Sequence, residues 1–155
     1  MQIVEFTDRV RGCERRLYRV AHTMLRIEAD CEDAVQEALF RAWARIGSLR
    51  HEEYFETWLI RILINECRSV YRRRKNAETE LNENIVAPAE SDGSLMEALM
   101  ALPDKQRIVI ELHCIEGYSV HETAAILKIP EGTVKWRMKA ARERMKPVLE
   151  KEGLL

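Results

Sequence analysis

Basic side chains are concentrated near the end of the chain, at a spacing that suits contact with phosphate groups. Six cations occur between residues 135 and 146: Lys135, Arg137, Lys139, Arg142, Arg144 and Lys146. A helix with such a row can neutralise DNA phosphates, while the residues of its first turns reach base edges. Because a solvated basic face has the same composition, the interpretation depends on the elements that present these cations.

The segment before the cations has the pattern of a DNA-reading helix-turn-helix. One helix is predicted from Asp104 to a turn at Gly117. A second begins at Ser119, and Glu122 three residues later completes a capping-box sequence. Pro130 then suits the first turn of the long basic helix, since its missing N–H would have no partner there. The buried stripe of that helix is predicted from helical spacing as Val134, Met138, Ala141, Met145 and Leu149.

The first half of the chain is also predicted to be helical, so the fold class is all-α. An apolar stripe runs along a first helix from Phe6 to Leu25. A second helix is predicted over residues 30–46, with Trp43 inside. A third is predicted over residues 54–75. Its core-facing side chains are expected to be Trp58, Leu59, Ile62, Leu63, Cys67 and Val70.

Charge divides the chain into two small helical domains and an acidic segment between them. Residues 1–75 contain 15 Lys/Arg and 12 Asp/Glu, residues 76–103 contain none and 6, and residues 104–155 contain 10 and 8. We therefore predict domains at 1–75 and 98–155, joined by a flexible acidic linker at 76–97. The linker is interpreted as a solvated tether, and weak mimicry of DNA is the alternative.

Several classes of protein find no support in the 155 residues. No apolar run approaches the roughly 18–20 residues that span a bilayer, and the start lacks the features of a signal peptide, so the expected compartment is the cytoplasm. We find no glycine-rich phosphate loop, nucleophile elbow or paired acid and base, and expect no enzyme activity, cofactor or small-molecule substrate. The cysteines occur singly, which predicts reduced, packed thiols and no metal site: Cys13, Cys31, Cys67 and Cys114.

Three stretches resemble bacterial sigma factors, and together they cover much of the chain in the order of that family. Residues 33–43, DAVQEALFRAW, resemble the region 2.2 helix. Residues 55–65, FETWLIRILIN, resemble the F-x-T-W-L-x-x-I-x-x-N signature that follows it. Residues 117–135, GYSVHETAAILKIPEGTVK, resemble region 4. Because the chain has no room for the additional domains of housekeeping sigma factors, it resembles the extracytoplasmic function (ECF, group 4) subfamily.

The resemblance implies roles for the first domain. It would bind core RNA polymerase, its largest and second-largest subunits, through the region 2.2 helix, with contacts from Asp33, Gln36, Glu37 and Phe40. It would also read the −10 promoter element as a melted strand and capture a flipped base. The residues implied for the −10 element are Ser48, Arg50, His51, Trp58, Asn65, Arg68, Arg72 and Arg73. The loop from Ser48 to Glu53 and the start of the third helix would capture the base, and the basic end from Arg68 to Lys75 would hold backbone phosphates.

The second domain would read the −35 element as duplex DNA. The implied residues are Thr133, Lys135, Trp136, Arg137, Lys139 and Arg142. Trp136 and Ala140 depart from the family, which often has a small residue and a cation at these positions. Trp136 would contact a thymine methyl, form part of a partner surface or pack half-buried.

The partners implied are core RNA polymerase, promoter DNA and an anti-sigma protein, which in this family is often membrane-bound. The alternative is a helix-turn-helix repressor or activator that acts without core polymerase. A third hypothesis is a helical adaptor that binds only proteins. The motifs at residues 33–43 and 55–65 argue against a repressor or activator, and the basic helix argues against an adaptor.

Overall fold

The computed structural model describes residues 1–81 and 94–153, and every regular element in those ranges is a helix. The described chain divides into two compact units, residues 1–77 and 78–155. The predicted all-α class with two helical domains is thereby confirmed. Side chains are described for residues 1–77 and 94–153.

The first unit contains three long helices, α1 (Ile3–Met24), α2 (Glu28–Ala44) and α3 (Phe55–Leu81). Two short 3₁₀ turns, Ile46–Ser48 and Glu52–Tyr54, lie in the connection between α2 and α3. The core of this unit is formed by completely or almost completely buried side chains at helical spacing, among them Leu17, Val20, Val35, Leu59, Ile60, Leu63 and Ile64.

Small side chains on the inner side of α2 allow it to pack closely on α1. Cys31, Ala34, Ala38 and Ala42 are spaced by three or four residues, so they share one face of the helix, and all are at most 1% exposed. Side chains of this size leave little volume between two helix axes, which permits close approach. The exposed polar residues of α2, among them Asp33, Gln36 and Glu37, lie on its outer side.

Two tryptophans predicted to face the core lie instead at its edge. Trp43 is 37% exposed, because it stands in the last turn of α2 and only the edge of its ring meets Phe6, at 5.2 Å between centroids. Trp58 is half-buried beside Phe55, at 6.0 Å between centroids. The prediction that both indoles are interior was wrong in this respect, although each covers part of the core.

The second unit contains α4 (Leu95–Ala101), α5 (Asp104–Val109), α6 (Val120–Leu127) and α7 (Glu131–Lys151). A π-helical segment, Ile110–Ile115, continues α5. The stripe predicted for α7 is confirmed: four of its five residues are buried and Leu149 is partly buried. Residues of α4, the π-helical segment and α7 form a common cluster: Leu99, Leu102, Ile110, Ala141 and Met145.

Helix α4 was not predicted from the sequence, although a local signal for it exists. The hydroxyl of Ser94 accepts a hydrogen bond from the Glu97 N–H at 3.2 Å, which is an ordinary N-terminal cap. The predicted linker, residues 76–97, overlaps the end of α3 through Leu81 and the start of α4 at Leu95. Its remaining residues, 82–93, lie outside the described residues.

Three of the four cysteines are buried thiols, and the fourth is exposed. Burial raises the pKa of Cys13 and Cys31 to about 11 and that of Cys67 to about 12, because desolvation disfavours the thiolate. Cys114 lies on the outer side of the π-helical segment, where it contacts solvent. The prediction of packed thiols was therefore wrong for Cys114 alone.

We expect one fast-reacting thiol in the native protein. At about pH 8 the raised pKa values keep Cys13, Cys31 and Cys67 protonated and shielded, and the thiolate is the reactive form. Titration with a chromogenic disulfide reagent should show one rapid equivalent, and all four after denaturation. Cys114→Ser should remove the rapid equivalent. Rapid reaction of a second thiol in the native protein would contradict the burial.

Candidate functional site

The outer face of α2 carries the residues expected to contact a large protein partner. Asp33, Gln36, Glu37 and Phe40 are all exposed, and their spacing of three, one and three residues places them on one side of the helix. Phe40 is 73% exposed, the highest value among the large apolar side chains of the described residues. A phenyl ring in water beside two carboxylates and an amide is a feature typical of an interface.

An ion-pair chain ties one edge of this face to α3. Arg41 Nε lies 3.2 Å from Glu37 Oε1 and 2.6 Å from Glu66 Oε1. Glu66 of α3 is buried, and a buried carboxylate without a partner would be strongly destabilising, so the pair with Arg41 offsets its loss of solvation. The Glu37 carboxylate is therefore oriented by an internal contact as well as being available at the surface.

The connection between α2 and α3 presents exposed groups suited to a nucleic acid strand. Ser48, Arg50 and His51 are exposed, and the Ser48 hydroxyl donates to the Arg45 carbonyl at 2.7 Å. The His51 ring meets the Tyr54 ring edge to face at 6.0 Å between centroids. Tyr54, which is 58% exposed, was not among the predicted site residues, and only its position next to the loop could have indicated it.

One face of α3 continues from this loop. Trp58, Asn65, Arg68 and Arg72 are separated by seven, three and four residues, which places them along a single side of the helix. Trp58 is half-buried and the other three are exposed. Arg73 is exposed as well but lies on the next face round the helix. The sequence-predicted residues thus form an aromatic-to-basic row that starts at the loop.

Arg74, in the basic end of α3, is paired with a carboxylate of α2. Its guanidinium binds the Asp30 carboxylate through two hydrogen bonds, Nε to Oδ2 at 2.5 Å and Nη2 to Oδ1 at 2.8 Å. This bidentate pair joins α3 to the first turn of α2. The guanidinium of Arg74, within the basic run from Arg68 to Lys75, is thus paired inside the unit, and its contact with phosphate stays a prediction.

The helix-turn-helix is held by local contacts in the predicted places. The Ser119 hydroxyl accepts from the Glu122 N–H at 2.9 Å, and the Glu122 carboxylate accepts from the Ser119 N–H at 3.0 Å, so the capping box is confirmed. Gly117 has a φ of +84°, which a residue without a side chain adopts at no steric cost. The Tyr118 N–H donates to the Leu112 carbonyl at 3.0 Å across this turn.

Helix α7 separates its buried stripe from an exposed cationic side. Lys135, Trp136, Lys139 and Arg142 are exposed, with Trp136 opposite the stripe, whereas Thr133 and Arg137 are half-buried. Trp136 is 67% exposed, so the half-buried packing considered for it is wrong. The arrangement can bring three charges and one indole to a single polyanionic surface.

Two further properties concern the described residues alone. In residues 1–81 and 94–153, no three His, Cys, Asp or Glu side chains are placed to hold a metal ion. Over the same ranges, no helix has the length and apolar content needed to cross a membrane.

The chain matches two protein families in the order suggested by its motifs. Residues 10–77 match Sigma-70 region 2, and residues 92–145 match Sigma-70, region 4. The first match contains the α2 face, the loop and the α3 row, and the second contains the helix-turn-helix.

Individual relatives cover most of the chain. It is 35% identical over 150 residues to the ECF RNA polymerase sigma factor SigM of Mycobacterium tuberculosis, covering 93% of this chain and 76% of the relative. It is 32% identical to the ECF RNA polymerase sigma factor SigW of Bacillus subtilis, covering 93% and 88%. A similar solved structure is the sigma factor RpoE of Bartonella quintana in complex with the anti-sigma factor NepR, with a TM-score of 0.82, 27% identity and coverage of 96% and 98%.

Proposed function

The chain belongs to the ECF family of RNA polymerase sigma factors, and from this premise we propose how its two units share the work of promoter recognition. It binds core RNA polymerase and directs promoter-specific transcription initiation, which is what sigma factors do, and sigma factors are not enzymes. We assign it to group 4, because the region 2 match ends at residue 77 and the region 4 match begins at residue 92. That interval leaves no room for another folded domain between them.

The proposed division of the chain has three parts. Residues 1–75 bind core polymerase and open the −10 element, residues 76–97 act as the linker, and residues 98–155 bind the −35 element. Charge supports this division, since the acidic residues of the middle segment would repel DNA while the flanking domains attract it.

The observation that carries the proposal is the exposure of Phe40 within the outer face of α2. Burying one phenyl ring contributes about 2 kcal/mol, and an exposed aromatic ring beside polar side chains is typical of an interface hot spot. We assign Asp33, Gln36, Glu37 and Phe40 to the contact with the polymerase largest subunit. A regulator that acts without core polymerase would have no use for this face.

The loop and the α3 row are assigned to the melted −10 strand. Tyr54 and His51 offer rings for base stacking, and Arg68 and Arg72 offer charge for phosphates along the same side. Arg50, Ser48, Trp58, Asn65 and Arg73 complete this surface. Flipping a base costs a few kcal/mol, which stacking and a pocket must offset. The strand is therefore opened by binding, without ATP hydrolysis.

Helix α7 is assigned to the major groove of the −35 element. Lys135, Trp136 and Lys139 lie near its N-terminal end and on its exposed side, where recognition helices contact bases and phosphates. Arg142 lies one turn further along the same side and is assigned to the backbone. Thr133 and Arg137, on the half-buried flank, contact the sugar-phosphate edge.

We also propose an anti-sigma protein as a regulatory partner and the cytoplasm as the compartment. Support comes from the solved relative, which is in complex with an anti-sigma factor. An anti-sigma protein that covers the outer face of α2 would compete directly with core polymerase for Phe40.

Phe40→Ala should weaken binding to core polymerase by about tenfold or more, because the variant removes the aromatic ring from the four proposed contact residues. Asp33→Ala and Gln36→Ala should weaken it less. Titration of labelled protein with core polymerase measures the affinity. Tyr71→Ala, which removes another exposed ring from the same unit, is the matched control and should leave the affinity unchanged. Equal affinities for the wild type and Phe40→Ala would contradict the assignment.

Lys135→Ala should reduce the slope of log K against log salt for −35 duplex binding by about one, since one phosphate contact is lost. Binding is measured with holoenzyme at several salt concentrations, on a duplex selected from a randomised pool. Lys146→Ala removes the same charge from the same helix about 16 Å nearer its C-terminal end and should leave the slope unchanged. An unaltered slope for Lys135→Ala would show that this lysine contacts no phosphate.

Trp136 should contact a thymine methyl group, because an exposed indole in the major groove offers an apolar surface to it. Replacing the contacted thymine by uracil in the selected duplex should weaken wild-type binding by about fourfold, the value of one buried methyl group. Trp136→Ala should bind both duplexes equally, whereas Lys135→Ala should keep the difference. A Trp136→Ala variant that still distinguishes thymine from uracil would refute this contact.

A further inference from the structure

Arg9 in α1 holds the loop between α2 and α3 through several contacts at once. Its Nη1 donates to the Glu52 carbonyl at 2.9 Å, and its Nη2 donates to the Glu52 carboxylate at 3.0 Å and to that of Glu5 at 3.1 Å. The guanidinium carbon also lies 5.7 Å from the centroid of the Phe55 ring. The Arg9 side chain therefore binds both the backbone carbonyl and the side-chain carboxylate of Glu52.

Glu52 lies among the exposed residues of the loop, between His51 and Tyr54. Glu52 begins the short 3₁₀ turn that ends at Tyr54, and His51 precedes it directly. The backbone hydrogen bonds nearby are local, Leu49 N–H to Ile46 O at 3.2 Å and Tyr54 N–H to His51 O at 3.0 Å. Arg9 adds a contact from an element 43 positions away, which ties the loop to the helical core of the unit.

We propose that Arg9 is a positioning residue that keeps this loop in the shape that binds the single-stranded promoter element. The inference rests on the proposed function of the loop. A loop that is ordered before binding loses less conformational entropy when the strand arrives, so its affinity and base selectivity are higher. Arg9 lies just before the region 2 match, which begins at residue 10, and none of the motifs includes it.

The energetic contribution of Arg9 is expected in recognition rather than in folding. Its side chain is one-third exposed, and ion pairs of this kind add little to the stability of a folded domain. The same contacts restrict a segment whose own backbone hydrogen bonds, Leu49 N–H to Ile46 O and Tyr54 N–H to His51 O, are local. A small difference in free energy between loop conformations is enough to shift their populations, and the affinity for the single strand changes with that shift.

A matched control is available on the same helix. Arg16 lies seven residues after Arg9, on the same side of α1, and is exposed to the same extent. It forms an ion pair with Glu56 in the first turn of α3. Arg16→Ala therefore removes an ion pair between α1 and α3 and leaves the contacts of Arg9 with Glu52 intact.

The test measures holoenzyme, formed from the full chain and core polymerase, on single-stranded DNA. An oligonucleotide is selected from a randomised single-stranded pool with the wild type, and a scrambled version of it serves as reference. Arg9→Ala should lower the ratio of the two affinities by about fivefold, with unchanged affinity for core polymerase. Arg9→Lys keeps one charged contact and should recover part of the ratio, and Arg16→Ala should keep all of it.

The ratio separates positioning from a merely structural role, since misfolded protein lowers the active fraction but not the ratio. Glu52→Ala provides a second variant if Arg9→Ala folds poorly by circular dichroism. It should lower the ratio less than Arg9→Ala, because the backbone contact remains. The double variant should be no worse than Arg9→Ala alone.

The possible failures are distinguishable. If Arg9→Ala and Glu52→Ala keep the wild-type ratio while His51→Ala lowers it, the loop reads the strand and the role of Arg9 is overturned. If His51→Ala and Arg50→Ala also keep the ratio, or if no sequence is enriched from the pool, the loop does not read the strand. The proposed function of the loop then fails together with the inference.

Discussion

Close packing of α2 on α1 through small side chains is the constraint on which the first unit depends. Cys31, Ala34, Ala38 and Ala42 are buried on the inner side of α2, and side chains of this size permit close approach of the two helices. The other side of α2 is then left in water with its carboxylates, its amide and Phe40. The same division occurs in α7, where a stripe that begins at Val134 is buried and the cations and Trp136 are exposed. In both helices the surface proposed to contact a partner is the side that the core does not use.

Arginines in the first unit occur both in ion pairs between helices and along an exposed row, and the residue type alone does not tell the two apart. Arg74 and Arg41 pair with Asp30 and Glu66, and so connect helices within the first unit. Arg68 and Arg72 have the same side chain and lie on the same helix as Glu66, yet their row is exposed and follows the loop. Residues of one basic run can therefore differ in whether a carboxylate of a neighbouring helix pairs with them.

The second unit depends on the turn at Gly117, which directly follows the π-helical segment Ile110–Ile115. The Glu116 N–H donates to the Glu111 carbonyl at 2.9 Å, a five-residue step, and Gly117 follows in the left-handed region. The Ser119 capping box then starts α6 at once, so α5 and α6 are joined without a long loop. Helix α7 packs on both of these elements, which holds its exposed side in a constant orientation relative to the unit.

Local patterns in the sequence determined the helices, their caps and the family. The capping box at Ser119, the break at Pro130 and the stripe from Val134 all arise from contacts between residues three or four apart, which a linear sequence displays directly. The cap at Ser94 was equally local and was overlooked because the acidic segment around it resembled a linker. Family motifs supplied the candidate residues, which the fold arranges into the α2 face, the α3 row and the α7 side.

Only the tertiary structure decided which of the similar residues are available. The exposure of Phe40, Trp136 and Cys114, and the position of Trp43 at the edge of the core, depend on what packs against each helix. The pairs Arg9 with Glu52 and Arg74 with Asp30 join residues more than 40 positions apart. Such contacts leave no periodic signal, because their energies depend on distances that exist only after the helices have packed.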